Sequence, residues 1–201
     1  EKKELLATLR PKDFLDCTAE MLTDTLSAAR PYRETVPLDL YQASILSPRV
    51  YDEMLLPVRA FIREMFPEGF SSGTQVSKWL SDHVQIVPNY EMKTIYGDIR
   101  GVLTYGYATQ ESFGTTFVCV CRSFGIPARR NAVTMEFEWA ELRDGAYVYR
   151  DARNPGSTEY TQLARLRLVN HGGTSLPYAE RFTIGRFVDG RYKTLRLSEL
   201  I

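Results

Sequence analysis

The feature that most constrains this chain is a change of hydrophobic period at Gly125-Ile126-Pro127. Before it, Phe113, Phe117, Val118, Val120, Cys121 and Phe124 recur at helical spacing. Gly125 suits the left-handed residue that ends a helix, and Pro127 prevents the helix from resuming. After it the pattern turns to strands, with candidates at 129–135, 136–142 and 146–151 and Asp144-Gly145 as the turn between the last two. Further strands are expected at 162–169, 181–188 and 191–197, with Asp189-Gly190 closing the final hairpin. Helices first and an antiparallel sheet afterwards is an α+β order.

Upstream, Phe14, Cys17, Met21 and Leu22 predict a helix that ends at Ala28-Ala29-Arg30-Pro31. Ser47-Pro48 reads as a cap followed by a first-turn proline. The apolar face Val50, Met54, Leu55, Val58, Phe61, Ile62, Met65 and Phe66 then predicts one long helix, bent near Pro57. Another helix follows Gly73, with Val76, Trp79, Leu80 and Val84 on one side. The stretch 88–109, rich in Pro, Asn, Gly and Tyr, is expected to be a loop. No internal repeat or low-complexity tract interrupts this order.

At 201 residues and 44% hydrophobic content, one domain with an ordinary core is expected, without a disulfide or metal staple. Lys plus Arg and Asp plus Glu both number 25. That balance gives no footprint for nucleic acid or an anionic membrane. No apolar run approaches the ~20 residues of a membrane span, and no signal peptide opens the chain, so Glu1 reads as a trimmed start. Three cysteines, Cys17, Cys119 and Cys121, and two histidines, His83 and His171, form neither a disulfide framework nor a metal site. No metal and no cofactor is expected. The boundaries drawn are 1–171 for the main domain, its core about 75–155, and 172–201 for a C-terminal hairpin segment or the start of a further β domain.

The run Cys119-Val120-Cys121-Arg122-Ser123-Phe124-Gly125-Ile126-Pro127-Ala128-Arg129 resembles the transglutaminase-like family, a branch of the papain-like cysteine enzymes. Glu138-Trp139-Ala140-Glu141-Leu142 resembles that family's second motif, and Tyr147-Val148-Tyr149-Arg150-Asp151 its third. The likeness covers roughly 75–155 and is most specific at Gly-Ile-Pro-Ala-Arg. More closely, the chain resembles secreted transglutaminase-like proteins of gut Bacteroidetes, which implies a periplasmic, cell-surface or secreted location.

The family's chemistry needs a Cys at the helix N-terminus, where the dipole favours thiolate, a His on the neighbouring strand and an Asp to orient it. The Cys lies fifteen residues before the motif's Gly, which here is Gln110; the His position maps onto Phe137; Asp151 is kept. An amide is no nucleophile and a phenyl ring is no base. Cys121, eleven residues on, lies on nearly the same face but ~16 Å further along. Cys119 and Cys121 are most simply small core residues. His83 and His171 read as surface or locally satisfied, and Arg129-Arg130 as structural.

Around this vacant centre stand Gln110, Glu111 and Ser112 at the helix start, Glu138 and Glu141 on the strand, and Asp151 opposite. At its simplest Glu111 complements the helix dipole and Ser112 satisfies a free amide. Alternatively Glu111 with Glu138 or Asp151 forms a carboxylate pair for acid and base work, as in glycoside cleavage. Tyr90, Tyr96, Tyr105 and Tyr107, with Trp79 and Trp139, offer flat faces for a glycan or an extended peptide. Three readings follow: a pseudoenzyme that binds through the former groove, with Gln110, Glu111, Trp139, Tyr105, Tyr107 and Asp151 as ligand contacts; a hydrolase using Glu111, Glu138 and Asp151; and an architectural module docking other domains. Glu111 facing a second carboxylate across the groove separates the first two, and a closed groove packed by Tyr and Phe marks the third. Register bears on them too, since Glu138 paired directly with Asp151 would raise the hydrolase above the pseudoenzyme. A three-residue loop Arg143-Asp144-Gly145 sets Phe137 opposite Asp151, whereas a two-residue turn sets Glu138 there. The three-residue form is favoured, because it keeps the family's facing of the His position and the Asp.

Overall fold

The computed structural model describes residues 1–87, 97–152, 169, 171–173, 177–188 and 191–194. Helices and strands are mixed and the fold is α+β. The chain forms two compact units, Glu1–Arg130 with Phe137–Glu159, and Asn131–Glu136 with Tyr160–Ile201.

The first unit is organised around one central helix. The helices of its N-terminal half are α1 (Lys2–Ala7), α2 (Asp13–Asp16), α3 (Ala19–Ala29), α4 (Leu38–Tyr41), α5 (Arg59–Met65), α6 (Gly73–His83) and α7 (Ile99–Tyr105), and the central one is α8 (Gln110–Ser123). From Ser112 to Ser123 every residue of α8 is buried, as a helix apolar on most sides requires. Its start is fixed locally. Thr109 Oγ1 accepts from the Ser112 amide at 3.1 Å, and Ser112 Oγ accepts from the Thr109 amide at 2.8 Å. Its end is the turn expected from Gly-Ile-Pro. Gly125 has φ 71°, and the amides of Gly125 and Ile126 donate to the carbonyls of Arg122 and Cys121.

Upstream, the structure departs from the periodicity in three places. The helix expected over Phe14–Leu22 is broken at Cys17-Thr18, because Thr18 caps a new helix by accepting from the Met21 amide, which leaves Phe14 exposed. The long helix expected from Ser47 does not form before Arg59. Glu53 takes the amides of Val50 and Tyr51 through its carboxylate, and Pro57 disfavours helix before it. The α5 start is instead capped from another helix, Asp24 accepting from the amides of Arg59 and Ala60. The loop expected over 88–109 contains α7, capped by Asp98 on the Gly101 amide, and the strand β2 (Tyr107–Ala108), parallel to β1 (Gln85–Ile86). The stretch before Ser47 also ends in a π-helical turn, Gln42–Leu46.

Strands β3 (Ala128–Arg130), β4 (Phe137–Arg143) and β5 (Ala146–Asp151) form an antiparallel sheet in that order. The first is shorter than the 129–135 expected, because the Asn131 carboxamide accepts from the Val133 and Thr134 amides and turns the chain. The favoured register is also corrected. Arg143 pairs with Ala146 and Glu138 with Asp151, so the turn has two residues. Asp144 and Gly145 take φ 50° and 81°, the left-handed pair whose twist matches the flanking strands. In the second unit β6 (Gly185–Val188), which starts later than the expected 181, pairs with β7 (Arg191–Thr194); positions 195–197 lie outside the described residues. Asp189-Gly190 and all but the last residue of the strand expected at 162–169 lie outside the described residues.

Candidate functional site

Gln110 is the first residue of α8, and Gly114 follows it one turn later on the same face. A side-chain carbon at Gly114 would lie 2.0 Å from the Phe137 ring, so the helix start and the mapped base position adjoin through this glycine. Phe137 is 4% exposed. Trp139, on the same sheet face, is equally buried, and its ring occupies the space where Gly73 has no side chain. Trp139 therefore belongs to the core, and its Nε1 has no partner among the described residues.

Asp151 lies on the opposite face, directly across the ladder from Glu138. Glu138 is 1% exposed and accepts from Arg129 Nε at 2.7 Å. Arg129 in turn stacks 3.8 Å from the Tyr149 ring, whose hydroxyl lies 3.3 Å from Ser44 Oγ. The Arg129-Arg130 pair thus ties the sheet together, Arg130 covering Tyr51 at 3.7 Å. Glu111 is half-buried in the first turn of α8. Phe137 packs on Gly114, one turn from Gln110, while Asp151 is turned to the other face.

The thiols are not placed for chemistry. Cys119 and Cys121 are both buried within α8, and burial pushes the Cys119 thiol up to about 12 and that of Cys121 well above its ordinary value. Burial raises Cys17 as well. Among the described residues no group of His, Cys, Asp and Glu could hold a metal ion, and no helix is long and apolar enough to cross a membrane.

Two features escaped the periodicity. Arg122, inside the apolar stretch 113–124, is fully buried and donates to the carbonyls of Ala128, Ser47, Arg49 and Ala43. Burial and neighbouring Arg59 push its guanidinium down to about 10. A lone charge among apolar positions was the available signal. Beside it Arg59, buried and likewise pushed down, leaves Nη1 unpartnered among the described residues, and it lines a cavity of about 20 Å³ with Met21, Thr25, Glu53 and Cys119. That is room for one water. The second feature is a polar depression of about 380 Å³ between the ends of α6 and α7, where Tyr105 and Tyr107 are exposed. Tyr90 and Tyr96 lie outside the described residues. The chain matches no family model, no curated protein and no solved structure.

Proposed function

We propose that this chain is a transglutaminase-like domain of papain-like architecture whose catalytic centre is vacant, and that it binds a glycan or peptide ligand instead of turning one over. The observation that carries this reading is the buried Phe137 ring seated on Gly114, one turn below Gln110. A helix N-terminus, a facing strand and a Gly-Ile-Pro turn support the family's architecture. The positions that would supply nucleophile and base hold an amide and a phenyl ring, neither of which can carry or move the proton that acyl transfer requires. A periplasmic, cell-surface or secreted setting, and other domains of a longer chain as partners, accompany this reading.

The direct pairing of Glu138 with Asp151 favours a second reading, a hydrolase with carboxylates in place of the thiol. It ranks second because Glu138 is buried and held by Arg129, and an ion-paired carboxylate is a poor proton shuttle. One assay pair separates the two. Amine incorporation into a glutamine-containing peptide, with and without iodoacetamide, should give no signal in either arm. Release of products from glycoside and peptide panels should likewise be absent. Turnover lost in Glu138→Gln, Asp151→Asn or Glu111→Gln would establish the hydrolase.

A further inference from the structure

We infer that the ligand site of this domain is the polar depression between α6 and α7, and that its ligand is a neutral oligosaccharide. This inference rests on the binding reading above and gives it a place and a chemical class. Two helices end there, α6 at His83 and α7 at Tyr105, and each runs directly into a strand of the β1–β2 pair. The Gln85 amide donates to the Gly106 carbonyl and the Val87 amide to the Ala108 carbonyl, both at 2.8 Å. That pairing sets Gln85 and Tyr107 side by side as register partners. Gly106, at φ 71°, passes so close to the His83 carbonyl oxygen that a side-chain carbon would lie 2.8 Å from it. The two tyrosines, 55% and 43% exposed, flank this fixed turn.

The lining decides the ligand class. A pyranose has apolar C–H faces and a rim of hydroxyls, so it is recognised by flat rings beside amide and imidazole groups. Tyr105 and Tyr107 supply the rings and Gln85 a carboxamide that both donates and accepts. His83 Nδ1 lies 2.8 Å from the Trp79 carbonyl, to which it donates, so Nε2 of the neutral ring is left as an acceptor. The ring is held flat on Trp79 at 4.4 Å. Asp82 is paired with Lys78 at 2.7 Å, which leaves no net charge from this pair. The carbonyl ends of two helices disfavour an anion. A peptide would need apolar sockets for its side chains, and this lining is mostly polar.

The test is calorimetric titration of the full chain with neutral hexasaccharides of glucose, xylose, mannose and N-acetylglucosamine, with oligogalacturonate and an unstructured glutamine-containing peptide alongside. At least one neutral hexasaccharide should bind at sub-millimolar concentration. Tyr105→Ala and Tyr107→Ala should each weaken it tenfold or more, while Tyr107→Phe stays within threefold and the thermal midpoint is unchanged. No neutral binding at millimolar concentration, a preference for oligogalacturonate or the peptide, or binding indifferent to both alanine variants would overturn the inference. Mass spectrometry of the titrated sugar keeps the two levels apart. A cleaved hexasaccharide that still depends on Tyr105 and Tyr107 would overturn the vacant centre and keep the site, whereas an intact one indifferent to them would do the reverse.

Discussion

At its C-terminal end α8 is held by the buried guanidinium of Arg122 and by the left-handed turn at Gly125, whereas its N-terminal end is held by a local hydroxyl cap and by the ring of Phe137 packed on Gly114. The first end reaches far along the chain, since Arg122 binds carbonyls at 43, 47, 49 and 128. The second end is capped by a neighbour three residues away and packs Phe113 and Gly114 into the core. Interactions that join distant segments set the fold, and their loss strands several buried groups at once. An end built more from local caps and apolar packing can exchange its side chains at lower cost.

The sharpest way to break this comparison is at Arg122. Arg122→Met keeps the apolar stem but takes a donor from four carbonyls: Ala128 and Ala43 lose theirs, while Ser47 keeps Arg59 Nη2 and Arg49 keeps the Ser47 hydroxyl. The expected loss is ~3–5 kcal/mol, the sum of the stranded and the weakened carbonyls. Urea unfolding would measure it, and a loss under ~1 kcal/mol would show that the C-terminal end is not the anchored one. Gly125→Val comes next. A side chain there is strained at φ 71° and would meet the Tyr32 ring at 2.2 Å, so about 2–4 kcal/mol is expected. A Gly125→Val, Tyr32→Ala double variant should recover the clash and keep the strain; full recovery would remove the left-handed turn from the account.

These two positions also mark what the residues disclosed. Gly125-Ile126-Pro127 announced the end of α8 because a left-handed residue and a missing donor are local properties. The helix start at Gln110 agrees with the position that the family resemblance implies, fifteen residues before Gly125. What stayed hidden depended on distant partners. Nothing near Ser47 reveals that Glu53 would take the Val50 and Tyr51 amides, or that Asp24 would cap α5, so an amphipathic pattern over 50–66 was overridden. The register at Asp144-Gly145 was misjudged for the opposite reason. The local preference of Asp-Gly for a two-residue turn prevails over the facing of 137 and 151 that the family resemblance implies.

At the N-terminal end, Gly114→Ala tests the plug. In an open helix interior this change would stabilise by ~0.5–1 kcal/mol. Here the added carbon meets Phe137, and a loss of ~1–3 kcal/mol is expected from overpacking. In a Phe137→Ala background the same change should turn neutral or favourable. A double-mutant cycle should therefore show a coupling of ~1–3 kcal/mol, and additive effects would separate the helix from the mapped base position.

The smallest effect is expected at Trp139, whose ladder partner Ala128 gives its carbonyl to Arg122, so it asks whether the sheet holds a hidden polar partner beside that anchor. The indole is buried, and its Nε1 finds no acceptor among the described residues, so removing that donor relieves a desolvation cost of ~1–3 kcal/mol. Trp139→Phe also trims the larger ring where it packs over Gly73, with a packing loss of ~1–2 kcal/mol. The two terms nearly cancel, so the unfolding free energy should change by less than about 1 kcal/mol in either direction. A loss beyond ~2 kcal/mol would mean that Nε1 is bonded after all, and that the sheet keeps a second polar anchor beside the one Arg122 provides.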